Sequence, residues 1–235
     1  MSCLSTDVDA CLAAAYHHHQ TGGFDEAEAL YRGLLSRAPD TATGLHRYGL
    51  LAAQLGRLED ADRLLSWALA VVPSDPEAAV NHGKILRALR HPGKAARRFC
   101  QALALDPTLA AAQEGLGHTG RERGDPAAAA TGYGRAVRCG GGSIVLQLWG
   151  TALAAAGRTE EAIEILQDVV RRDPMAISAA FLLGQLLIRI GNGAEAAACF
   201  RRVIVLRPNH DDARRCLAAV GKPPEPLERR RLRQE

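Results

Sequence analysis

The chain has 235 residues, of which 47 % are hydrophobic, so it can bury a substantial core and is not typical of a wholly disordered protein. Aromatic residues make up only 4 % of the chain, and its many alanines favour closely packed helices over sheet. A formal net charge of +3 is too small by itself to indicate nucleic-acid binding.

Turn-forming residues recur along the chain at an almost constant spacing. Steps of 33 or 34 residues separate the successive members of the series Pro39, Pro73, Pro107, Gly141, Pro174 and Pro208. Each interval holds two apolar patterns of helical spacing, as in the stripe formed by Ile163, Leu166 and Val169. A fixed period of about 34 residues with two helices per unit predicts stacked helical hairpins.

Small and bulky residues recur at fixed places in these intervals. The second helix carries an alanine every time: Ala27, Ala61, Ala95, Ala129, Ala162 and Ala196. The first helix carries alanine or glycine: Ala15, Gly49, Gly83, Gly117, Gly150 and Gly184. A bulky residue follows each alanine four positions later: Tyr31, Leu65, Phe99, Tyr133, Leu166 and Phe200. Antiparallel helices approach closely where both present small residues, and we expect the bulky residue to fill the gap toward the next hairpin.

This pattern resembles the tetratricopeptide repeat (TPR) family over about residues 8–210. The resemblance implies an all-α, right-handed superhelical solenoid of about six helix-turn-helix repeats. We place the repeats at 8–41, 42–75, 76–109, 110–143, 143–176 and 177–210, followed by a capping helix at 211–220. Residues 1–7 are expected to form an N-terminal tail, and the Pro/Arg-rich residues 221–235 a tail that is disordered unless bound.

The first repeat contains three consecutive histidines, His17, His18 and His19. Consecutive helical residues point about 100° apart, so these side chains cannot converge on one ion as an i, i+4 pair would. We interpret them as a partly exposed helix face and predict no metal site.

The family resemblance also implies where a ligand binds. In TPR proteins the first helix of each pair lines the concave surface, which commonly receives an extended peptide. The candidate peptide-binding residues are therefore His46, Arg47, Asn81, Lys84, Arg87, Glu114, His118, Arg121, Phe181 and Gln185. The central residues are polar and mostly basic, which suits carboxylates and backbone carbonyls, and Phe181 is expected to hold an apolar anchor. The alternative is that these charges do no more than solvate a helix face.

Two specialised groove types of the family are not matched. The lysine-and-asparagine set that clamps a C-terminal carboxylate is incomplete, and the asparagine ladder of some glycosyltransferase arrays is represented by Asn81 alone. Neither specific function is carried over to this chain.

Motifs that indicate catalysis are missing, namely the nucleophile elbow, the phosphate-binding loop, the zinc-protease helix and the dinucleotide fingerprint. Residues 115–120, GLGHTG, superficially resemble a phosphate loop, but they lie inside a helical repeat where glycine has a packing explanation. We expect no enzyme activity and no cofactor. Arg229, Arg230, Arg231 and Arg233 leave RNA binding as a minor alternative, because aromatic stacking platforms are few.

The expected function is that of a protein-binding adaptor or scaffold for an acidic or extended segment. The chain shows no leader pattern at its N-terminus and no apolar stretch of about 20 residues, so we expect a cytoplasmic protein with no membrane span. Its six scattered cysteines are expected to be small buried hydrophobes in a reducing compartment. The main alternative is an accessory subunit of an enzyme or of a secretion or assembly complex, docked through its convex face or array ends. Self-association through apolar end faces is also open.

The fourth repeat is predicted to be the soft point of the array and to let its two halves flex. Glycines inside its helices cost about 1 kcal/mol each relative to alanine, and they are Gly115, Gly117, Gly120, Gly132 and Gly134. Its exit turn at 139–143 contains three further glycines and no proline. In a hydrogen-exchange experiment the amides of residues 110–143 should therefore exchange faster than those of residues 42–75. Equal protection of the two segments would refute the prediction.

Overall fold

The computed structural model describes residues 2–220, with side chains from Asp7 onward. Within that range the regular structure consists of thirteen helices and no strand. The helices are α1 (Ser2–Thr21), α2 (Phe24–Arg37), α3 (Ala42–Gln54), α4 (Leu58–Val71), α5 (Pro76–Ala88), α6 (Pro92–Leu105), α7 (Ala110–Glu122), α8 (Pro126–Arg138), α9 (Ser143–Ala155), α10 (Thr159–Arg172), α11 (Ile177–Arg189), α12 (Gly193–Leu206) and α13 (Asp211–Val220). The tail expected at 221–235 lies outside the described residues.

The helices form two compact units with a boundary between Gly140 and Gly141. In the first unit α1 to α8 pair into four hairpins, and in the second α9 to α12 pair into two, with α13 packed on α11 and α12. Within each unit the second helix of a hairpin packs on the first helix of the next hairpin, and consecutive first helices contact each other. The predicted all-α architecture of helical hairpins is confirmed. No helix in residues 2–220 combines the length and the apolarity that crossing a membrane requires.

The N-terminal end differs from the expected tail. Helix α1 begins at Ser2, so residues 2–7 form its first turns. No proline or glycine precedes Gly22, and nothing in the sequence therefore interrupts the helix before the turn at that glycine.

The hairpins are held together by the small and bulky residues that the sequence singled out. The six recurrent alanines of the second helices are at most 1 % exposed, and the six bulky residues are 0 % exposed. A Cβ added to Gly83 would lie 2.6 Å from the ring of Phe99 in the same hairpin, and one added to Gly115 of the next repeat would lie 2.5 Å from that ring. The ring of Phe99 thus fills the predicted gap toward the next hairpin and also packs on the small residue of its own.

The turn inside each hairpin requires one residue with positive φ. These residues are Gly22, Gly56, Arg90, Gly124, Gly157 and Gly191. Arg90 adopts φ 61° although it carries a Cβ, which costs about 1 kcal/mol. The amide of Arg90 donates to the Arg87 carbonyl at 2.9 Å, and the amide of His91 donates to the Leu86 carbonyl at 2.8 Å. These bonds end α5 in the same way as those of Gly56 end α3, so the turn imposes the conformation even where glycine is missing.

Three glycines of the fourth repeat, Gly117, Gly120 and Gly132, lie where its two helices touch. A Cβ at Gly132 would be 2.4 Å from the backbone nitrogen of Gly117, and one at Gly120 would be 2.6 Å from that of Ala129. Close packing of the α7 and α8 backbones therefore offsets the helix-propensity cost. The exit turn has no such contact, because a Cβ at Gly140 or Gly142 would meet no atom within 4 Å.

The prediction of buried cysteines is wrong for those whose side chains are described. Cys100 is exposed, and Cys11, Cys139, Cys199 and Cys216 are partly exposed; all five are free thiols. Cys100 directly follows Phe99 on α6. Since consecutive helical side chains diverge by about 100°, burial of the Phe99 ring turns Cys100 toward solvent.

Replacement of Gly132 by alanine should lower the free energy of unfolding by about 1–3 kcal/mol, because the methyl group would push α8 away from α7. Gly33→Ala is the matched control. Gly33 also lies within a helix, but a Cβ there would meet no atom within 4 Å, so this change should raise stability by about 1 kcal/mol. Urea denaturation of both variants measures the difference. Equal effects would show that α7 and α8 do not approach to backbone contact.

Candidate functional site

Eight of the ten candidate peptide-binding residues lie in the first unit, on the first helices α3, α5 and α7, and the other two lie on α11 of the second unit. In the first unit α5 contacts both α3 and α7. The family's concave-surface positions in this unit therefore belong to helices that are in direct contact.

Polar side chains link consecutive first helices in the first unit. The three contacts join residues that are 35 apart in sequence: His19 with Gln54, His46 with Asn81, and Arg87 with Glu122. The spacing exceeds one repeat by a single residue, so each side chain reaches one position beyond its equivalent in the next repeat. Sequence reasoning missed this series, although the constant offset is visible in the sequence once the period is known.

The side chains of His46 and Asn81 are hydrogen-bonded to each other. The Asn81 side-chain amide donates to His46 Nε2 at 3.0 Å. His46 Nδ1 then carries the proton and lies 3.7 Å from a carboxylate oxygen of Asp75. Because His46 is only 8 % exposed, it is not itself accessible to a peptide, and its hydrogen bond holds the Asn81 amide in place.

The positive charge of Arg87 is neutralised by the neighbouring carboxylate of Glu122. Its Nε and Nη2 both donate to Glu122 Oε1, at 3.1 and 2.6 Å. The two side chains are 20 % and 24 % exposed. Arg87 is therefore not one of the donors available for a carboxylate of a ligand.

His118 lies in a third polar cluster. Its Nε2 is 3.2 Å from Glu114 Oε1, and its Nδ1 is 2.9 Å from the Tyr133 hydroxyl. Burial and then the positive charge of Arg87 hold the pKa of His118 below 6.5. Neutral His118 therefore donates to Glu114 and accepts from Tyr133.

Three of the predicted cations form no ion pair within the described part of the chain. Lys84 and Arg121 are exposed, and the one side-chain hydrogen bond of Arg121 among the described residues is to His118 Nδ1, at 3.4 Å. The guanidinium carbon of Arg47 lies 4.0 Å from the centroid of the Tyr16 ring, as in a cation–π contact. The positive charge of this surface thus reduces to Arg47, Lys84 and Arg121.

In the second unit the expected apolar anchor is partly covered. The Phe181 ring lies 5.8 Å from that of Phe200 and 4.7 Å from that of His210, centroid to centroid. A mostly apolar cavity of about 540 Å³ lies instead between α9 and α11. Gln185 lines this cavity together with Thr151, Leu182 and Ile188. The structure thus places Gln185 in an apolar recess, whereas Phe181 packs within its own hairpin and against His210.

Sequence comparison matches the tetratricopeptide repeat to residues 12–79, 80–144 and 148–211. The chain belongs to the tetratricopeptide repeat family. Membership in this family indicates a protein-interaction scaffold, since TPR proteins are generally non-catalytic adaptors.

One curated relative is the cellulose synthase 2 operon protein C of Komagataeibacter xylinus, which is 30 % identical over 210 residues. The match covers 78 % of this TPR chain but only 16 % of that protein. The chain therefore spans a small part of the relative's length.

Solved structures of TPR proteins share the fold at low sequence identity. PilF of Pseudomonas aeruginosa has a TM-score of 0.73 at 18 % identity, over 92 % of this chain and 98 % of that one. YrrB, a TPR protein with an unusual peptide-binding site, has a TM-score of 0.70 at 21 % identity, over 78 % and 95 %. MamA of Desulfovibrio magneticus RS-1 has a TM-score of 0.65 at 24 % identity, over 72 % and 97 %.

The pKa of His118 leads to a pH-dependent stability. Unfolded His118 takes up a proton with a pKa of 6.5, whereas folded His118 stays neutral to lower pH. Its contribution to stability is therefore present above pH 6.5 and falls as the pH drops below that value. NMR titration of the His118 ring should give a midpoint below 6.5 in the wild type, and a higher midpoint in Arg87→Gln. A wild-type midpoint at or above 6.5, or no change in the variant, would contradict this account.

Proposed function

We propose that this TPR protein is a non-catalytic adaptor that binds an extended, acidic segment of a partner protein on the first helices of its first unit. The observation that carries the proposal is the set of three cations, Arg47, Lys84 and Arg121, that no carboxylate of the described residues neutralises. These residues offer charge-assisted donors to carboxylates and backbone carbonyls of an extended chain.

Two polar pairs on the same helices as these cations support recognition, because they hold the helices in place. The His46–Asn81 bond and the Arg87–Glu122 ion pair tie consecutive first helices together. Arg47 is held against Tyr16 before a ligand arrives. Binding then requires less ordering of side chains, which is a main cost of association. The free thiols among the described cysteines support a reducing, cytoplasmic location as part of the proposal.

A second candidate function is that of an accessory subunit in an enzyme or assembly complex, docked through second helices or array ends. The observation that favours it is the 30 % identity with the cellulose synthase 2 operon protein C. In such a complex the cations of the first helices would not contact the partner.

Charge reversal separates the two candidates. Peptides selected from a displayed random library on the wild-type protein should be rich in Asp and Glu. Their affinity should fall at least tenfold in the variant Arg47→Glu, Lys84→Glu, Arg121→Glu, because a single charge-assisted hydrogen bond contributes about 1.5–3 kcal/mol and about 1.4 kcal/mol corresponds to tenfold.

The control carries the same charge change on exposed positions of the second helices, as Arg63→Glu, Arg135→Glu, Arg138→Glu. It should change affinity less than twofold, and both variants should show the wild-type circular dichroism. If both triple variants bind the peptides equally well, the acidic-segment proposal is wrong. The accessory-subunit function would be favoured by a different result. In that case a co-purifying complex stays bound to the variant changed at Arg47, Lys84 and Arg121 but is lost from the control variant.

A further inference from the structure

A polar cavity of about 440 Å³ lies between α4, α5 and α6 of the first unit. Asp62 and Ser66 line it from α4, and His82 and Leu86 line it from α5. None of the candidate peptide-binding residues lines it. The cavity is therefore separate from the surface proposed to bind a peptide.

The carboxylate of Asp62 has an equivalent at the preceding repeat junction, between α2 and α3. The residues 34 positions before Asp62 and His82 are Glu28 and Tyr48. The Tyr48 hydroxyl donates to Glu28 Oε1 at 2.8 Å, and Arg57 donates to both carboxylate oxygens, at 2.9 and 2.6 Å. Arg32 lies 2.8 Å from Oε1. These contacts, led by the bond from Arg57, lower the pKa of Glu28 to about 2. Glu28 is thus fully neutralised by its own neighbours.

At the second junction the carboxylate of Asp62 has a different environment. Its Oδ1 lies 2.6 Å from Nε2 of His82, whose side chain is 3 % exposed. Burial lowers the pKa of His82, so the imidazole is neutral and donates to Asp62. Ser66 and His91 stand 34 positions after Arg32 and Arg57. Asp62 therefore forms no ion pair with a lysine or arginine of the described residues, and its Oδ2 has no hydrogen-bond donor among them.

The cavity's positive charges come from α6. Lys94, Arg97 and Arg98 line it, and none forms an ion pair within residues 7–220. Arg98 Nη1 donates to Gln101 Oε1 at 2.9 Å, and the Gln101 amide donates to the Pro73 carbonyl at 3.0 Å. Arg98 is thereby fixed in position. The cavity gathers three positive charges against the single negative charge of Asp62.

We propose that this cavity binds a phosphate group that retains a proton, as inorganic phosphate does at neutral pH. Lys94, Arg97 and Arg98 donate to the phosphate oxygens, for which arginine forks are well suited. Asp62 Oδ2 accepts the remaining phosphate O–H, whereas it repels an anion that has no proton to donate. The cavity volume is within the usual range of small-molecule sites, about 300–1,000 Å³.

Isothermal titration of the full chain with inorganic phosphate and with sulfate, at pH 7 and constant ionic strength, tests the proposal. Sulfate has the same shape but no proton, so phosphate should bind at least tenfold more tightly. Arg97→Gln, Arg98→Gln should weaken phosphate binding at least tenfold. The control Arg135→Gln, Arg138→Gln removes the same charge from exposed positions on α8, a helix that does not line the cavity, and should change binding less than twofold.

Asp62→Asn is the decisive variant, because it removes the charge that discriminates between the two anions. It should bring the affinities for phosphate and sulfate to within threefold of each other. Backbone NMR shifts on phosphate addition should be confined to α4, α5 and α6, and shifts spread over other helices would contradict the assignment of the site.

Several outcomes would overturn the proposal. These are no saturable phosphate binding, equal affinity for phosphate and sulfate in the wild type, or equal weakening in the control. If the double arginine variant does not fold, as judged by circular dichroism, Lys94→Met provides the same test with one substitution. The charge reversal of Arg47, Lys84 and Arg121 should leave phosphate binding unchanged, so failure of the peptide proposal and failure of this one are distinguishable.

Discussion

The close approach of the two helices in each hairpin is the constraint on which the remaining structure depends. Where a first helix presents glycine, as at Gly83, the ring of a bulky residue such as Phe99 rests almost on its backbone. At Gly132 the contact is between backbones, because a Cβ there would lie 2.4 Å from the backbone nitrogen of Gly117. The Phe99 ring also packs on Gly115 of the next first helix, so it sets the spacing of α5 and α7. That spacing in turn decides which polar side chains of the two helices meet. The glycines therefore act on the candidate binding surface without contacting it.

The fold was predictable from the sequence because its determinants are local and periodic. Ala95 and Phe99 are four residues apart on one helix, and every repeat has an alanine followed four positions later by a bulky residue. The neutralisation of Arg87 by Glu122 was not predictable in this way, because it joins two helices and depends on the rotamers of long side chains. Phe181 shows the same limit, since its contact with the ring of His210 depends on where α13 packs. The sequence therefore predicted which residues lie on the surface, but not which of them already contact other side chains of the same chain.

Internal pairing changes what kind of recognition the first unit can perform. With Arg87 committed to Glu122, and Asn81 committed to His46, the accessible charge is reduced to separate cations on different helices. Exposed cations on a rigid support bind carboxylates with little loss of side-chain freedom. An extended segment with acidic residues at intervals matches this arrangement better than a single terminal carboxylate, which needs several donors at one point.

The polar pairs at the repeat junctions are not required by the fold. Each junction has a pair of equivalent positions, one on a second helix and one on the next first helix. At the first junction this pair is Glu28 and Tyr48, and at the second it is Asp62 and His82. In the second unit its equivalents are the apolar Ile163 and Leu183, which are 7 % and 4 % exposed. Well-packed apolar residues often replace a buried ion pair without loss of stability. The Glu28 network neutralises itself, so packing is a sufficient account of it. Asp62 and the cations of α6 leave charge on both sides of an open cavity, and stability alone does not explain that arrangement. A ligand that carries both an anionic oxygen and a proton explains it, because the cations bind the oxygen and Asp62 accepts the proton's hydrogen bond.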